Sequence, residues 1–179
     1  MAANNKGHSG PAAPAALKSP RLCVGHSDDS LKYQPSVRIL VGEIISHVWF
    51  SDYSICYLEL GALKAGLKLP NGIVGNPGGE FTLFLGYDWT SEVSGQVKTR
   101  LDFHANESER ELFVAKLHNA VIRSVDLITE NCEIEIGLST GVVLRTVSDK
   151  ADGPDWSIKF DKQVQGYLCV KNRKLMFES

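Results

Sequence analysis

A chain of 179 residues has room for one domain and an appendage, and 43% hydrophobic with 22% charged residues is apolar enough to build a core. The net charge of −2 argues against a general nucleic-acid binder, which carries a basic face. No apolar run approaches the roughly 20 residues of a membrane helix, which excludes that anchor.

Residues 1–36 are rich in Ala, Gly, Pro, Asn and Ser and hold no large apolar residue before Leu17. Such a segment cannot bury enough surface to offset the entropy of ordering, and Pro20 and Pro35 interrupt any helix between them. The expectation is a disordered tail, with a short ordered piece near Leu22-Cys23-Val24. One Lys before Gly7 and no apolar stretch behind it speak against a secretory signal. A cytoplasmic protein is therefore expected, with free thiols at Cys23, Cys56, Cys132 and Cys169. The tail carries four cations against two acids, which leaves −4 on residues 37–179, too little asymmetry to name a charged partner.

The body reads as one mainly β domain. Ile44 to Phe50 alternates in period two, Ser51 to Ser54 is a turn, and Cys56, Leu58 and Leu60 alternate with Tyr57 and Glu59. Leu67, Leu69 and Phe81 to Leu85 are further strand signals, separated by Pro70-Asn71-Gly72 and by Gly75 to Gly79, which read as a long mobile loop. Val97 to Phe103 reads as another strand. The single convincing helix spans about 107–117: Asn106 can cap it, Glu107, Glu109 and Glu111 suit its positive end, and Leu112, Phe113 and Leu117 give it an apolar face.

Set against itself, the chain repeats. At an offset of 77, Leu40, Gly42, Ile45, Val48 and Phe50 lie over Leu117, Asn119, Ile122, Val125 and Leu127. Gly and Asn are the residues that best tolerate positive φ. At offset 76, Cys56, Leu58 and Leu60 fall on Cys132, Ile134 and Ile136. At offset 75, Gly66 falls on Gly141, Leu67 on Val142 and Leu69 on Leu144, while Phe81, Leu83 and Leu85 fall on Trp156, Ile158 and Phe160. Alternation alone produces some such matches, but the shared order of turn, hairpin, glycine and aromatic strand favours a duplication. Two similar halves, about 38–103 and 117–178, then predict a duplicated antiparallel β-sandwich or a partly open barrel.

Chemistry is hard to find. No G-x-S-x-G occurs, and none of His8, His26, His47, His104 and His118 pairs with a nucleophile in a known signature. Asp149, Asp152 and Asp155 are spaced by three but do not follow a calcium-loop pattern, and the Gly72–Gly79 stretch lacks the Lys-Ser/Thr of a phosphate loop. Cys56 and Cys132, on equivalent inward positions, read as small apolar residues. Neither a catalytic set, nor a cofactor, nor a metal site is expected. What remains is aromatic: Trp49, Tyr53 and Tyr57 around the first hairpin, and Asp88 with Trp89 after a strand. Interfaces concentrate Trp and Tyr, yet period alone does not decide whether Trp49 and Trp89 face a partner or fill gaps beneath the long loop.

Val41 to Val48, Gly79-Glu80-Phe81-Thr82-Leu83, Leu117 to Val125, Asp155-Trp156-Ser157-Ile158 and Gly166 to Val170 together resemble a family of uncharacterised bacterial two-repeat β domains grouped with polymorphic-toxin immunity proteins. The resemblance covers roughly residues 38–178. It implies no activity, cofactor or catalytic residue, and it implies a cytoplasmic protein that binds another protein. Trp49, Tyr53, Tyr57, Asp88 and Trp89 are the candidate protein-binding residues. The partner is expected to be a toxin, with a subunit of a bacterial multiprotein assembly as the alternative. A small-ligand binder with a pocket between the sheets is the third reading.

Overall fold

The computed structural model describes residues 27–86, 88–128, 132–147, 155–161, 166–171 and 174–178. Among the described residues eleven strands form two antiparallel sheets. The first half contributes β1 (Ile45–Phe50), β2 (Cys56–Leu60), β3 (Phe81–Leu85), β4 (Trp89–Val93) and β5 (Gln96–Thr99). The second contributes β6 (Ile122–Ile128), β7 (Glu133–Leu138), β8 (Val142–Thr146), β9 (Trp156–Phe160), β10 (Gly166–Lys171) and β11 (Lys174–Glu178). The six-stranded sheet runs β1-β2-β3-β9-β10-β11, and the five-stranded sheet runs β5-β4-β8-β7-β6. Neither closes on itself, so the architecture is the sandwich-like alternative rather than a barrel.

Both strand orders follow one rule. Each sheet takes the first three strands of one half and the later strands of the other, β1 to β3 with β9 to β11 and β6 to β8 with β4 and β5. The halves are thus interlocked, and the apolar sides of both sheets meet in a single core that includes Leu58, Leu83 and Ile158 with Ile136, Leu144 and Val125. The hydrogen bonds where the halves meet are reciprocal. Gly42 N–H donates to Ile122 C=O at 2.9 Å, and Asn119 N–H donates to Ile45 C=O at 2.8 Å. Ile45 N–H reaches Ala120 C=O and Ile122 N–H reaches Glu43 C=O, both at 2.9 Å. Each bond maps onto its mate at offset 77, and Gly42 and Asn119 both sit at positive φ (94° and 63°), the conformation their pairing implies. Both β1 and β6 also slip register at the same place, between Ile45 and His47 and between Ile122 and Ser124.

The ladder corrects the alignment beyond β1. Phe50 faces Cys56 and Leu127 faces Ile134, so Cys56 corresponds to Ile134 at offset 78, not to Cys132. The second hairpin gained a residue. Leu58 faces Leu83 and Ile136 faces Leu144, so β3 corresponds to β8, and β4 rather than β3 corresponds to β9. Trp156 is therefore the mate of Trp89. The two make the same contact: Trp89 Nε1–H donates to Ser54 C=O at 3.4 Å and Trp156 Nε1–H to Cys132 C=O at 2.8 Å. Ser54 and Cys132 are equivalent turn residues, both at positive φ (58° and 54°).

The helices depart furthest from expectation. Ser27 to Arg38 forms α1, Arg100 to Ala105 forms α2, and Glu107 to Leu117 forms α3, where one helix near 107–117 was expected. Residues 1–26, with the expected ordered piece at 22–24, lie outside the described residues, but the tail expected through residue 36 gives way to α1 from Ser27. Pro35 sits inside α1 and is exposed; it forfeits one helix hydrogen bond, which docking offsets. Val37 and, just past the helix, Leu40 are fully buried. The Gln34 side chain donates to Val125 C=O and accepts from Leu127 N–H, both at 3.0 Å. These two groups lie on the outer edge of β6, the last strand of its sheet. One side-chain amide thus takes the place of a neighbouring strand's peptide group and closes an edge that would otherwise invite pairing. Replacing Gln34 with Ala is expected to cost about 1 kcal/mol, since water can reach the freed groups. The Leu127 amide should lose its protection from hydrogen exchange, and unchanged protection there would contradict the clamp.

The strand expected over 97–103 ends at Thr99. Asp102 accepts from Thr99 N–H at 2.7 Å and from its hydroxyl at 2.8 Å, starting α2. Those two bonds, the backbone one first, hold the Asp102 carboxyl below its ordinary range. Asn106 caps α3 by accepting from Glu109 N–H at 3.2 Å, as its position predicts.

Candidate functional site

Trp49, Tyr57 and Phe84 are cross-strand neighbours on β1, β2 and β3, on the side of the six-stranded sheet that faces away from the core. The Trp49 and Tyr57 rings stack at 3.7 Å and within 2° of parallel, and Phe84 meets Tyr57 edge-on at 5.2 Å. The next row of the same face holds His47, Glu59, Thr82, Lys159 and Tyr167. Together with Asn76, Pro77 and Gly78 from the long connection, parts of both rows line a groove of about 420 Å³.

Glu59 organises the groove floor. It is only 3% exposed, and its carboxylate accepts from Trp49 Nε1–H at 3.0 Å, Gly79 N–H at 2.8 Å and the Thr82 hydroxyl at 2.7 Å. A buried carboxylate is tolerable only with such partners. One side chain therefore fixes the indole plane and ties down the root of the long connection. Gly79 is required there: a Cβ would stand 2.5 Å from the Leu60 backbone. Lys159 supplies a cation at the groove, and its hydrogen bond to Asp161, then the charge of that carboxylate, hold the ammonium above the ordinary lysine range. His47 Nε2 is buried and has no hydrogen-bond partner among the described residues.

The connection itself, residues 61–80, is an arm rather than an open loop. Lys64 bridges Gly78 and Lys68 bridges Val74, with Gly75 N–H to Leu67 C=O at 2.9 Å and Leu69 N–H to Ile73 C=O at 2.8 Å between and beyond them. In an antiparallel ladder opposed residues share a face, so Lys64 and Lys68 lie on one side and Leu67, Leu69 and Ile73 on the other. Leu67 is 83% exposed, and Leu63, Leu69, Ile73 and Val74 are exposed as well. The strand signals at Leu67 and Leu69 thus correspond to isolated bridges of this arm.

Of the residues singled out from sequence, Trp49 and Tyr57 come together in the groove. The side chain of Tyr53 lies outside the described residues. Trp89 does not belong to the groove or to the surface: it is 1% exposed and stacks on Phe103 at 5.4 Å and Phe113 at 5.7 Å. Asp88 marks the other crossing of the halves. Its C=O accepts from Val147 N–H at 2.8 Å, and the equivalent Asp155 C=O accepts from Gly86 N–H at 2.9 Å. The repeated Asp-Trp pair, Asp88-Trp89 and Asp155-Trp156, was the signal for this architectural role. Sequence reasoning missed Glu59, Phe84, Lys159 and Tyr167, which reach one face only through strand pairing.

Among the described residues no group of three or more His, Cys, Asp or Glu side chains is placed to hold a metal ion. Of the triad Asp149, Asp152 and Asp155, the first two lie outside the described residues. Among the described residues Cys56, Cys132 and Cys169 form no disulfide, and complete burial pushes the Cys56 thiol far up from its ordinary range, away from thiolate chemistry. Cys132 is a turn residue, not the inward strand position expected of it. No helix among the described residues is long and apolar enough to cross a membrane. No family model, curated protein or solved structure matches the chain.

Proposed function

We propose that this is a non-catalytic, cytoplasmic protein-binding domain of the immunity type, which neutralises a bacterial toxin by holding it against the aromatic groove. The observation that carries the reading is the stacked Trp49–Tyr57 pair, locked by Glu59 on the outer face of a sheet. Rigid aromatic rings whose geometry is set before binding are what interface hot spots use, because little side-chain freedom is lost on contact. The exposed aliphatic side of the arm adds apolar area beside the groove, and contiguous exposed apolar surface is the mark of an interaction site. The toxin as partner rests on the sequence resemblance alone.

The test begins with the partner that co-purifies stoichiometrically with the full chain from its native host. Trp49→Ala and Tyr57→Ala should each weaken that complex by about 30-fold or more, the roughly 2 kcal/mol of a hot spot. Arg123→Ala, on the exposed side of β6, should leave it unchanged. Equal affinity for all three variants, or no stoichiometric partner, would remove the proposal.

A further inference from the structure

The two halves treat their equivalent sheet edges differently. In the second half the outer edge of β6 is closed, because Gln34 bonds both Val125 C=O and Leu127 N–H. At offset 77 those groups correspond to Val48 C=O and Phe50 N–H on β1. The ladder places them identically: Val48 faces Leu58 and Phe50 faces Cys56, as Val125 faces Ile136 and Leu127 faces Ile134. Both groups therefore point away from β2, and β1 is the end strand of its sheet. Among the described residues neither has a hydrogen-bond partner. The residue at Gln34's place in the repeat is Glu111 of α3; α3 touches β1 and the Arg110 guanidinium stands 6.0 Å from the Phe50 ring, but Glu111 is exposed and makes no hydrogen bond to either group among the described residues.

We propose that the Val48–Phe50 edge is a strand-addition site, and that its occupant is an extended segment of the partner protein. This deepens the protein-binding reading and rests on it. Gln34 shows what fits such an edge: a planar amide that donates to one residue's C=O and accepts from the N–H two residues on. A backbone peptide of an added strand offers the same pair of bonds, repeated along its length. The ring row Phe84, Tyr57, Trp49 runs across the sheet and ends at β1, so a side chain of the added strand opposite Trp49 extends that row. An aromatic, proline or arginine side chain suits that position. A second copy of this chain is the weaker occupant. Two such edges pairing would join only a few residues a side around Trp49, far below the roughly 800 Å² per partner of a stable interface. A partner strand, in contrast, can continue into contacts with the groove and the arm.

Amide hydrogen exchange on the full chain, resolved by NMR, tests this. In the free protein Phe50 should exchange about tenfold faster than Leu127, its clamped equivalent. Equal protection would mean that the edge is already closed, and the proposal would fall. The full chain is then challenged with peptides selected against it from a random displayed library. The expected result is binding that slows Phe50 exchange about tenfold or more, with Trp49→Ala weakening the same peptides. Peptides that bind while Phe50 exchange is unchanged would overturn strand addition and leave the protein-binding reading standing. Phe50 protection that grows with the concentration of the chain alone would assign the edge to a second copy. Failure of every peptide to bind would also overturn it.

Discussion

Trp156→Ala is expected to cost about 3–5 kcal/mol, and Trp89→Ala as much, which is a large share of the roughly 5–15 kcal/mol that holds a domain folded. Trp156 is fully buried and Trp89 is 1% exposed, so truncation empties a cavity the size of an indole in each case. Each also frees a turn carbonyl, at Cys132 or Ser54, that was bonded to the indole N–H. Trp→Phe at either position separates the two effects: it keeps most of the packing, loses the hydrogen bond, and should cost about 1–2 kcal/mol. Trp49→Ala should cost less, about 1–2 kcal/mol, because that ring is only partly buried on the outer face and its loss removes one of the three hydrogen bonds to the buried Glu59 carboxylate. Urea unfolding of the three Ala variants reads the order directly. A Trp49→Ala loss matching the other two would mean that the outer aromatic row is core, and that it is not held ready for a partner.

That contrast among three tryptophans also shows where sequence reasoning stops. Period two along one strand predicts which side chains share a face, so the strands around Val48, Leu58 and Leu83 and the offset-77 match of Gly42 with Asn119 were all legible. Which strands become neighbours is not a local property. The swap that places β9 beside β3 and β4 beside β8 depends on long-range pairing, and it is this swap that buries Trp89 and Trp156 while leaving Trp49 outside. Glu59 illustrates the same limit. In sequence it is an ordinary polar residue of an alternating strand. Its three hydrogen bonds come from β1, β3 and the root of the arm, which are joined only once the sheet forms. Helix α1 was hidden by Pro35, which argues against a helix locally; Val37, Leu40 and the Gln34 clamp outweigh it through contacts with a strand about 90 residues away. The strand expected across Val97 to Phe103 failed because alternation continued past Thr99, while the Thr99–Asp102 cap turned the chain.

Cutting the chain between α2 and α3 should give two fragments, residues 1–105 and 106–179, that do not fold separately and that assemble when mixed. The reason is the interlocked strand order. In the first fragment β3 lacks β9, and β4 lacks β8; in the second, β8 and β9 lose those same partners. Each unfilled position exposes a strand edge and the apolar face behind it, so neither fragment has a closed core. Mixing restores both sheets at the cost of one bimolecular association. Each fragment pairing with itself is disfavoured by one substitution between the repeats. Ser91 in β4 stands where β9 has Ile158. Ser91 faces Leu144 across β8, beside the stacked Trp89, Phe103 and Phe113. In a homodimer of the first fragment Ser91 would face Leu83 in Ile158's place and leave a void; in one of the second, Ile158 would face Leu144 in a space that suits a serine. Far-ultraviolet circular dichroism and sedimentation on each fragment and on the equimolar mixture decide the matter. A fragment that is folded and monomeric alone would mean that the halves are autonomous, and that the shared strands are an exchange between two complete units. Two fragments that reach native signal only together would establish that the duplication is structural and that its two copies have diverged past self-recognition.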